Sequence, residues 1–174
     1  RVAPQVCCGP GLPVWGCASV AWWGARGGVF RTSFSGGQGY EIAVPTRFGT
    51  DLFARLVTAA EASGGCAYGM EALNVLRIEK GFITHAEIDG RTTAFDIGLD
   101  WMVSRKKDCV GFALSRRPGM VEDDRPQLVG LKPVVPDGQV SAGAHLFDRD
   151  AAAVRANDQG HVTSVCWSPT LGTN

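Results

Sequence analysis

Acidic residues are missing from the start of this 174-residue chain, and Glu41 is the first one. The first 28 residues carry only two charged side chains, Arg1 and Arg26. Over the whole chain, Lys+Arg and Asp+Glu balance at 17 each. A balanced charge leaves no basic field that would attract a nucleic acid or an anionic membrane surface. We therefore expect neither of them as a partner.

The cysteines lack the spacing of a metal site. They form no Cys-x-x-Cys pair and have no histidine pair nearby, whereas structural zinc needs four converging ligands. Their spread also differs from that of a small secreted disulfide scaffold. The six positions are Cys7, Cys8, Cys17, Cys66, Cys109 and Cys166. We predict no metal site, and reduced thiols in a cytoplasmic protein.

Long apolar runs are absent as well. The most apolar stretch, residues 12–23, is about half of the ~20 residues that a membrane span needs. The chain begins without Met and without the charged and apolar regions of a signal peptide. We therefore expect no membrane association and a piece of a larger protein.

The composition is that of a globular protein, with 45% hydrophobic and 20% charged residues. Residues 1–28 are an exception, because they hold three of the five tryptophans and show no clear period of two or 3.6 residues. We predict that this stretch is an atypical segment, either damaged or dependent on a partner for its fold.

The stretch after residue 28 is typical of a β-hairpin. Residues 29–34 are rich in β-branched and aromatic side chains, which favour a strand. The sequence SGGQG at 35–39 predicts a turn, because its glycines permit positive φ. Residues 40–44 predict the return strand, which Pro45 ends.

Three helices are predicted next. The first begins at Thr50 or Asp51 as a cap, carries an apolar stripe at helical spacing, and ends at the glycines of residues 63–65. The second covers residues 68–81, with Gly81 placed as a C-terminal cap. A short third helix is predicted over residues 106–117.

The character of the sequence changes after Pro126. Short apolar runs alternate there with Gly, Pro, Asp and Asn, which is typical of a small antiparallel barrel or sandwich. The number of runs is too small to close a barrel. We predict one domain within residues 29–121 and an incomplete β-barrel over residues 126–174.

Glu41 is a carboxylate in an otherwise apolar strand. A charged group buried in such a strand needs a partner, because burial of an unpaired charge costs a large amount of free energy. The alternative is an ordinary glutamate on the solvent face of the strand. The residues by themselves leave both interpretations open.

Three separated stretches resemble one known family in its motif order. They are RTSFSGGQGYEIAVP (31–45), YGMEALNVLRIEKG (68–81), and the pair QLVGLKP and GHVTSVCWSPTLG within 127–172. This is similar to the folate-binding aminomethyltransferases, the T-protein of the glycine cleavage system and its relatives. The resemblance implies an α+β fold, an aminomethyltransferase-like folate-binding domain followed by an incomplete C-terminal antiparallel β-barrel.

The resemblance also implies two ligand residues. Glu41 matches the glutamate that binds the pterin ring, and a carboxylate can accept two adjacent N–H groups of a pterin in a bidentate pair. Phe34 matches a tyrosine of the same motif, so it keeps a flat wall for the ring and lacks the hydroxyl group. Core packing is the alternative role for Phe34. No catalytic residue is identified in this chain.

Within the family, the sequence of residues 69–98 resembles the subgroup of sarcosine oxidase α subunits. Leu73 stands where the aminomethyltransferases have an arginine, which also favours that subgroup. The resemblance implies oxidative demethylation of sarcosine to glycine, with tetrahydrofolate capturing the one-carbon unit as methylenetetrahydrofolate. FAD, FMN and NAD are expected elsewhere in a hetero-oligomer formed with other sarcosine oxidase subunits.

Two alternatives remain open beside this one. The chain could be part of an aminomethyltransferase that acts on a lipoyl-bound aminomethyl group, or it could be a non-functional fragment. The resemblance places the family's catalytic aspartate in a preceding half of the protein. We therefore expect no turnover from the isolated chain.

Overall fold

The computed structural model describes residues 11–135 and 138–174. The chain divides into two compact units, one reaching Phe82 and the other spanning Ile83–Asn174. Each unit combines antiparallel strands with helical segments. This mixture agrees with the α+β class that the sequence predicted. The predicted domain boundary between residues 121 and 126 stays a prediction, and residues 1–10 of the predicted atypical segment lie outside the described residues.

A three-stranded antiparallel sheet, in the order β1-β2-β3, opens the first unit. Its strands are β1 (Cys17–Trp22), β2 (Ala25–Phe30) and β3 (Glu41–Ala43). Trp23 and Gly24 connect β1 to β2 with φ angles of 44° and 79°. Positive φ at both central residues is the conformation that matches the twist of a tight hairpin.

The hairpin predicted over residues 29–44 is present, with different bounds. β2 ends at Phe30, so the predicted strand is wrong beyond that residue. Arg31 still bonds to Gly16 through its N–H at 2.9 Å, but the chain then leaves the sheet for a loop of residues 32–40. β3 confirms the return strand in a shorter form.

Most of β1 and β2 lies in the stretch where no period was detected. Alternation is hidden there because, apart from Arg26, the outward positions carry small or apolar residues instead of charged ones. Cys17 and Ala21 face outward, whereas Val20 and Trp22 are buried. A two-residue period is visible in a sequence only when the exposed side differs in polarity from the buried side.

The first two helices are confirmed. A 3₁₀ turn (Thr46–Phe48) leads into α1 (Gly49–Ala62), and α2 (Met70–Lys80) follows. Gly81 has φ 75° and donates to the carbonyl of Ile78, while the N–H of Phe82 donates to the carbonyl of Arg77. This is the Schellman arrangement, and it confirms Gly81 as the C-terminal cap.

The predicted caps of α1 and the predicted third helix are wrong. Thr50 and Asp51 lie inside the first turn of α1, and Asp51 accepts a hydrogen bond from Arg55 at 2.8 Å instead of capping the helix. Residues 106–117 contain only a 3₁₀ turn at Leu114–Arg116. Gly111, with φ 85°, interrupts that segment, because a left-handed residue cannot continue a right-handed helix.

The second unit contains little regular structure. Its one two-stranded sheet among the described residues pairs β4 (His145–Leu146) with β5 (Gly160–His161), and Ser168 forms an isolated bridge with Thr173. These short pairs do not confirm the predicted incomplete barrel. Among the described residues of this unit, the buried large apolar residue is Val162, and the buried polar residues are Thr93, Asp96, Ser168 and Thr173. Contacts between buried polar groups therefore contribute much of what stabilises this unit.

Among the residues described, no helix has the length and apolar character required to cross a membrane.

Candidate ligand-binding face of the first sheet

The first sheet has one buried side and one exposed side. Successive side chains of a strand point to opposite faces, so residues at alternate positions share a face. Val20, Trp22 and Val29 form the buried side, each at most 8% exposed. Ile42 belongs to the same side because it pairs with Val29 across β2 and β3.

The exposed side carries a row of three side chains, one from each strand. Phe30 lies opposite Cys17 of β1 and opposite Glu41 of β3. All three residues are exposed to solvent. Directly paired residues on one face have Cβ atoms about 4.5–5.5 Å apart. A thiol, an aromatic ring and a carboxylate are therefore neighbours on this face, which we call the outer row.

Glu41, the predicted pterin ligand, lies at the start of β3. Its side chain is exposed, and among residues 11–135 and 138–174 no hydrogen bond or ion pair involves its carboxylate. An exposed carboxylate carries no burial cost, so it needs no internal partner. With respect to the residues that the structure describes, its two oxygens are available to an external donor. The ligand role of Glu41 stays a prediction, as does the alternative of an ordinary surface glutamate.

Phe34, the second predicted ligand residue, lies in the loop between β2 and β3. Its ring is 39% exposed, and the ring centroid is 6.5 Å from that of Phe82. A tilted contact between rings at this distance stabilises both of them. Phe34 is thus a partly packed residue with one exposed part, and its role as a wall for a ligand stays a prediction.

Two close approaches fix the shape of that loop. Gly36 has φ 86°, and a Cβ atom placed on it would lie 2.7 Å from Cγ of Lys80 at the end of α2. A Cβ atom on Gly39 would lie 2.6 Å from the carbonyl oxygen of Thr32. The two ends of the loop are therefore close together, and glycine is required at both positions.

Arg77 is a buried charged residue of α2. Arg77 is only 5% exposed, and it donates from Nε to Oδ1 of Asn74 at 2.9 Å and from Nη1 to the carbonyl of Phe82 at 3.2 Å. A buried guanidinium needs such acceptors. These bonds hold the end of α2 against the segment that follows it.

In the second unit, Glu87 is a carboxylate held by several donors. Its oxygens accept from the hydroxyl of Ser164 and from the N–H and hydroxyl of Thr84. Burial by itself raises the pKa of Glu87, but the bonds from Ser164, Thr84 and Thr163 outweigh it and lower the pKa from 4.5 to about 2. Such a group stays ionised at neutral pH, so it is poorly suited to donate a proton in catalysis.

The three histidines are exposed. Nδ1 of His145 is 2.7 Å from Oδ2 of Asp158, and the His145 and His161 rings are 6.0 Å apart. The backbone N–H of Gly160 and then His145 lower the pKa of Asp158. Within the described part of the chain, no cluster of His, Cys, Asp and Glu has the geometry to hold a metal ion.

The sequence pattern assigns no role to Phe30 or Cys17. Phe30 is one of several apolar residues of a predicted strand, and Cys17 falls in the segment without a period. Strand pairing is the signal that would have found them, because the register of β2 with β3 puts Phe30 opposite Glu41 and that of β1 with β2 puts Cys17 opposite Phe30.

Comparison with known proteins identifies relatives that match most of the chain. The family model for the GCVT N-terminal domain matches residues 10–107. The sarcosine oxidase subunit alpha of Rhizobium meliloti (strain 1021) is 45% identical over 149 residues, and that of Corynebacterium sp. (strain U-96) is 37% identical over 152 residues. An aminomethyltransferase of Thermosynechococcus vestitus is 34% identical over 148 residues.

These matches cover most of this chain and a small part of each relative. They span 85% of the chain and 15% of the Rhizobium protein, 86% and 16% for the Corynebacterium protein, and 83% and 37% for the aminomethyltransferase. The family model alone covers more than half of the chain and includes α1, α2, the outer row and Phe34. The chain therefore belongs to the GCVT N-terminal domain family.

Proposed function

We propose that this chain is the tetrahydrofolate-binding part of a sarcosine oxidase α subunit, and that Glu41 binds the pterin ring. The exposed carboxylate of Glu41, unpaired among the described residues, carries this proposal. A pterin presents a ring N–H beside an amino group, and a carboxylate can accept both in a bidentate pair. The similarity to two sarcosine oxidase α subunits supports the choice of enzyme.

In the whole protein, the reaction is oxidative demethylation of sarcosine to glycine. The part proposed for this chain is to hold a folate where the released one-carbon unit arrives, so that methylenetetrahydrofolate forms. Positioning the acceptor raises its effective concentration at the reacting carbon. Phe34 supplies a second, apolar contact through the part of its ring that Phe82 leaves exposed.

Other parts of the assembly supply the oxidation. FAD, FMN and NAD bind outside this chain, and further sarcosine oxidase subunits complete a cytoplasmic hetero-oligomer. We propose residues 29–121 as part of the folate-binding domain and residues 126–174 as part of the C-terminal barrel. We also propose that the isolated chain binds folate without turnover.

Binding of a stable reduced folate, 5-formyltetrahydrofolate, to the purified 174-residue chain tests the site. Equilibrium dialysis gives the Kd of the chain and of Glu41→Gln. We expect Glu41→Gln to weaken binding by roughly 1.5–3 kcal/mol, since a charge-assisted pair is lost. Glu61→Gln is the matched control, because Glu61 is also an exposed carboxylate, near the end of α1. Equal Kd values for the chain and Glu41→Gln would refute the assignment of Glu41.

The aminomethyltransferase is the second candidate function, favoured by the 34% identity to the Thermosynechococcus protein. The two functions differ in the donor of the one-carbon unit. A full-length protein that forms methylenetetrahydrofolate from sarcosine supports the oxidase. One that does so only from a lipoyl-bound aminomethyl group supports the aminomethyltransferase. A chain that binds no folate and aggregates supports the third alternative, a non-functional fragment.

A further inference from the structure

Phe30 is an aromatic residue on the exposed side of the first sheet. Its strand neighbour Val29 is 8% exposed and points to the buried side, whereas Phe30 is 41% exposed. A large apolar side chain on a solvent-facing sheet surface contributes little to the core. Much of its ring therefore stays open to a ligand that reaches this face.

The Phe30 ring leans along its strand over Gly28. A Cβ atom placed on Gly28 would lie 3.0 Å from Cε2 and 3.1 Å from Cζ of that ring. Gly28 thus provides the space in which the ring rests on the sheet surface. Its two cross-strand neighbours, Ser19 and Ala43, are small and exposed, so they leave the outer part of the ring uncovered.

A carboxylate lies beside this uncovered ring. Glu41 is the direct cross-strand partner of Phe30, about 4.5–5.5 Å away at Cβ. A planar heterocycle that donates two N–H groups to Glu41 lies within reach of the ring. Stacking on an aromatic side chain adds affinity to the hydrogen bonds without adding a charge.

We propose that Phe30 is the stacking surface for the pterin ring that Glu41 holds. This inference rests on the proposed function and adds a residue to its site. Phe34 lies in the loop, and its ring contacts Phe82, so part of its surface is already used. Phe30 shares its strand register and its face with Glu41, so the two act on one ligand ring.

Binding measurements on the 174-residue chain test this proposal. Phe30→Leu keeps an apolar side chain and removes the aromatic ring. We expect it to weaken binding of 5-formyltetrahydrofolate about tenfold, the scale of a lost base–aromatic stack. Phe53→Leu is the matched control, since Phe53 is an exposed phenylalanine on α1, 63% accessible. Thermal unfolding of each variant verifies that it folds.

Cys17 provides a second measurement that does not depend on affinity. It is the other direct neighbour of Phe30 and is exposed, as are Cys66 and Cys109. A pterin ring stacked on Phe30 would shield the Cys17 thiol. We expect saturating 5-formyltetrahydrofolate to slow the alkylation of Cys17 by iodoacetamide by a factor of at least about three. The alkylation rates of Cys66 and Cys109 should not change. Mass spectrometry of the peptides separates the sites.

The outcomes distinguish this proposal from the proposed function. If Glu41→Gln weakens binding while Phe30→Leu binds as tightly as the unaltered chain, the stacking role of Phe30 is overturned and the folate site stands. If the chain binds no folate, both fail together. A Phe30→Leu variant that loses both affinity and protection of Cys17, yet unfolds at the same temperature, supports the proposal.

Discussion

Arg125 donates two hydrogen bonds to Asp96, from Nε to Oδ1 at 2.8 Å and from Nη2 to Oδ2 at 2.5 Å. The carboxylate also accepts the N–H of Thr93, and Nη2 of Arg125 also reaches the carbonyl of Arg91. The bond from Arg125, the largest contribution, lowers the pKa of Asp96 from 3.8 to about 2 despite its burial. This pair joins two segments of a unit with few buried apolar residues, so its removal should be costly.

We expect Asp96→Asn to lower the free energy of unfolding by roughly 1.5–3 kcal/mol at pH 7, the scale of lost hydrogen bonds to a charged group. Asp123→Asn, at an exposed position, is the control. Urea unfolding measures both.

The contribution of the Asp96–Arg125 pair to the free energy of unfolding depends on pH, and its sign follows from the pKa of Asp96. The pKa of Asp96 is lower in the folded state, so its stabilisation is complete above the ordinary pKa near 4 and is lost as the pH falls through about 2. The difference between the unaltered chain and Asp96→Asn should therefore shrink between pH 5 and pH 2. A difference that stays constant over this range would contradict the ionic role of Asp96.

Ser164→Ala should raise the pKa of Glu87 from about 2 towards its ordinary value, because one of its bonds to the ionised form is removed. NMR titration of the Glu87 side-chain carboxyl carbon measures the shift. We expect a clear rise in the pKa that stops short of the ordinary value, because the bonds from Thr84 are retained. Thr170→Ala, at an exposed position of the same unit, should leave this titration unchanged.

Gly36→Ala should destabilise the chain by about 1–2 kcal/mol, the cost of a left-handed conformation for a residue with a Cβ atom. Contact with the Lys80 side chain adds to this cost. Gly37→Ala is the neighbouring control, because Gly37 has no positive φ and a Cβ atom placed on it would meet no atom within 4 Å. Thermal unfolding of the two variants should differ by several degrees. Equal melting temperatures would mean that the loop adapts to either residue.

Two replacements at Trp23 distinguish the cost of its backbone strain from the contribution of its ring contacts to stability. Its φ of 44° is unfavourable, but its ring contacts Trp22 and Phe48, and the Arg55 guanidinium lies 4.9 Å from its centroid. Trp23→Ala keeps the strain and loses the contacts, so we expect a loss of about 1–2 kcal/mol. Trp23→Asn loses the same contacts but tolerates positive φ, so it should be the more stable of the two. The reverse order in urea unfolding would exclude backbone strain at this turn.

Several local features were predictable because neighbouring residues determine them. The period of α1 and α2, the glycine that ends α2 and the strand containing Glu41 all depend on side chains within a few positions. The caps predicted for α1 were misplaced because the 3₁₀ turn at Thr46–Phe48 leads into a helix that already begins at Gly49, so Thr50 and Asp51 lie within its first turn. The helix predicted at 106–117 failed at Gly111, whose backbone conformation ends a helical run.

Contacts between distant residues could not be predicted in this way. Nothing near Asp96 indicates that Arg125 is its partner, 29 positions away. Likewise, Phe30 shows no functional pattern in its own strand, and its position opposite Glu41 follows only from the pairing of β2 with β3.

Residue order alone was enough to establish the motifs of the family, the two helices and the presence of a carboxylate in a strand, because these depend on local order and residue type. Tertiary contacts determine which face of the sheet that carboxylate occupies and which side chains stand beside it. Strand pairing sets this arrangement, since a shift of one residue in register would move Glu41 away from Phe30 and Cys17.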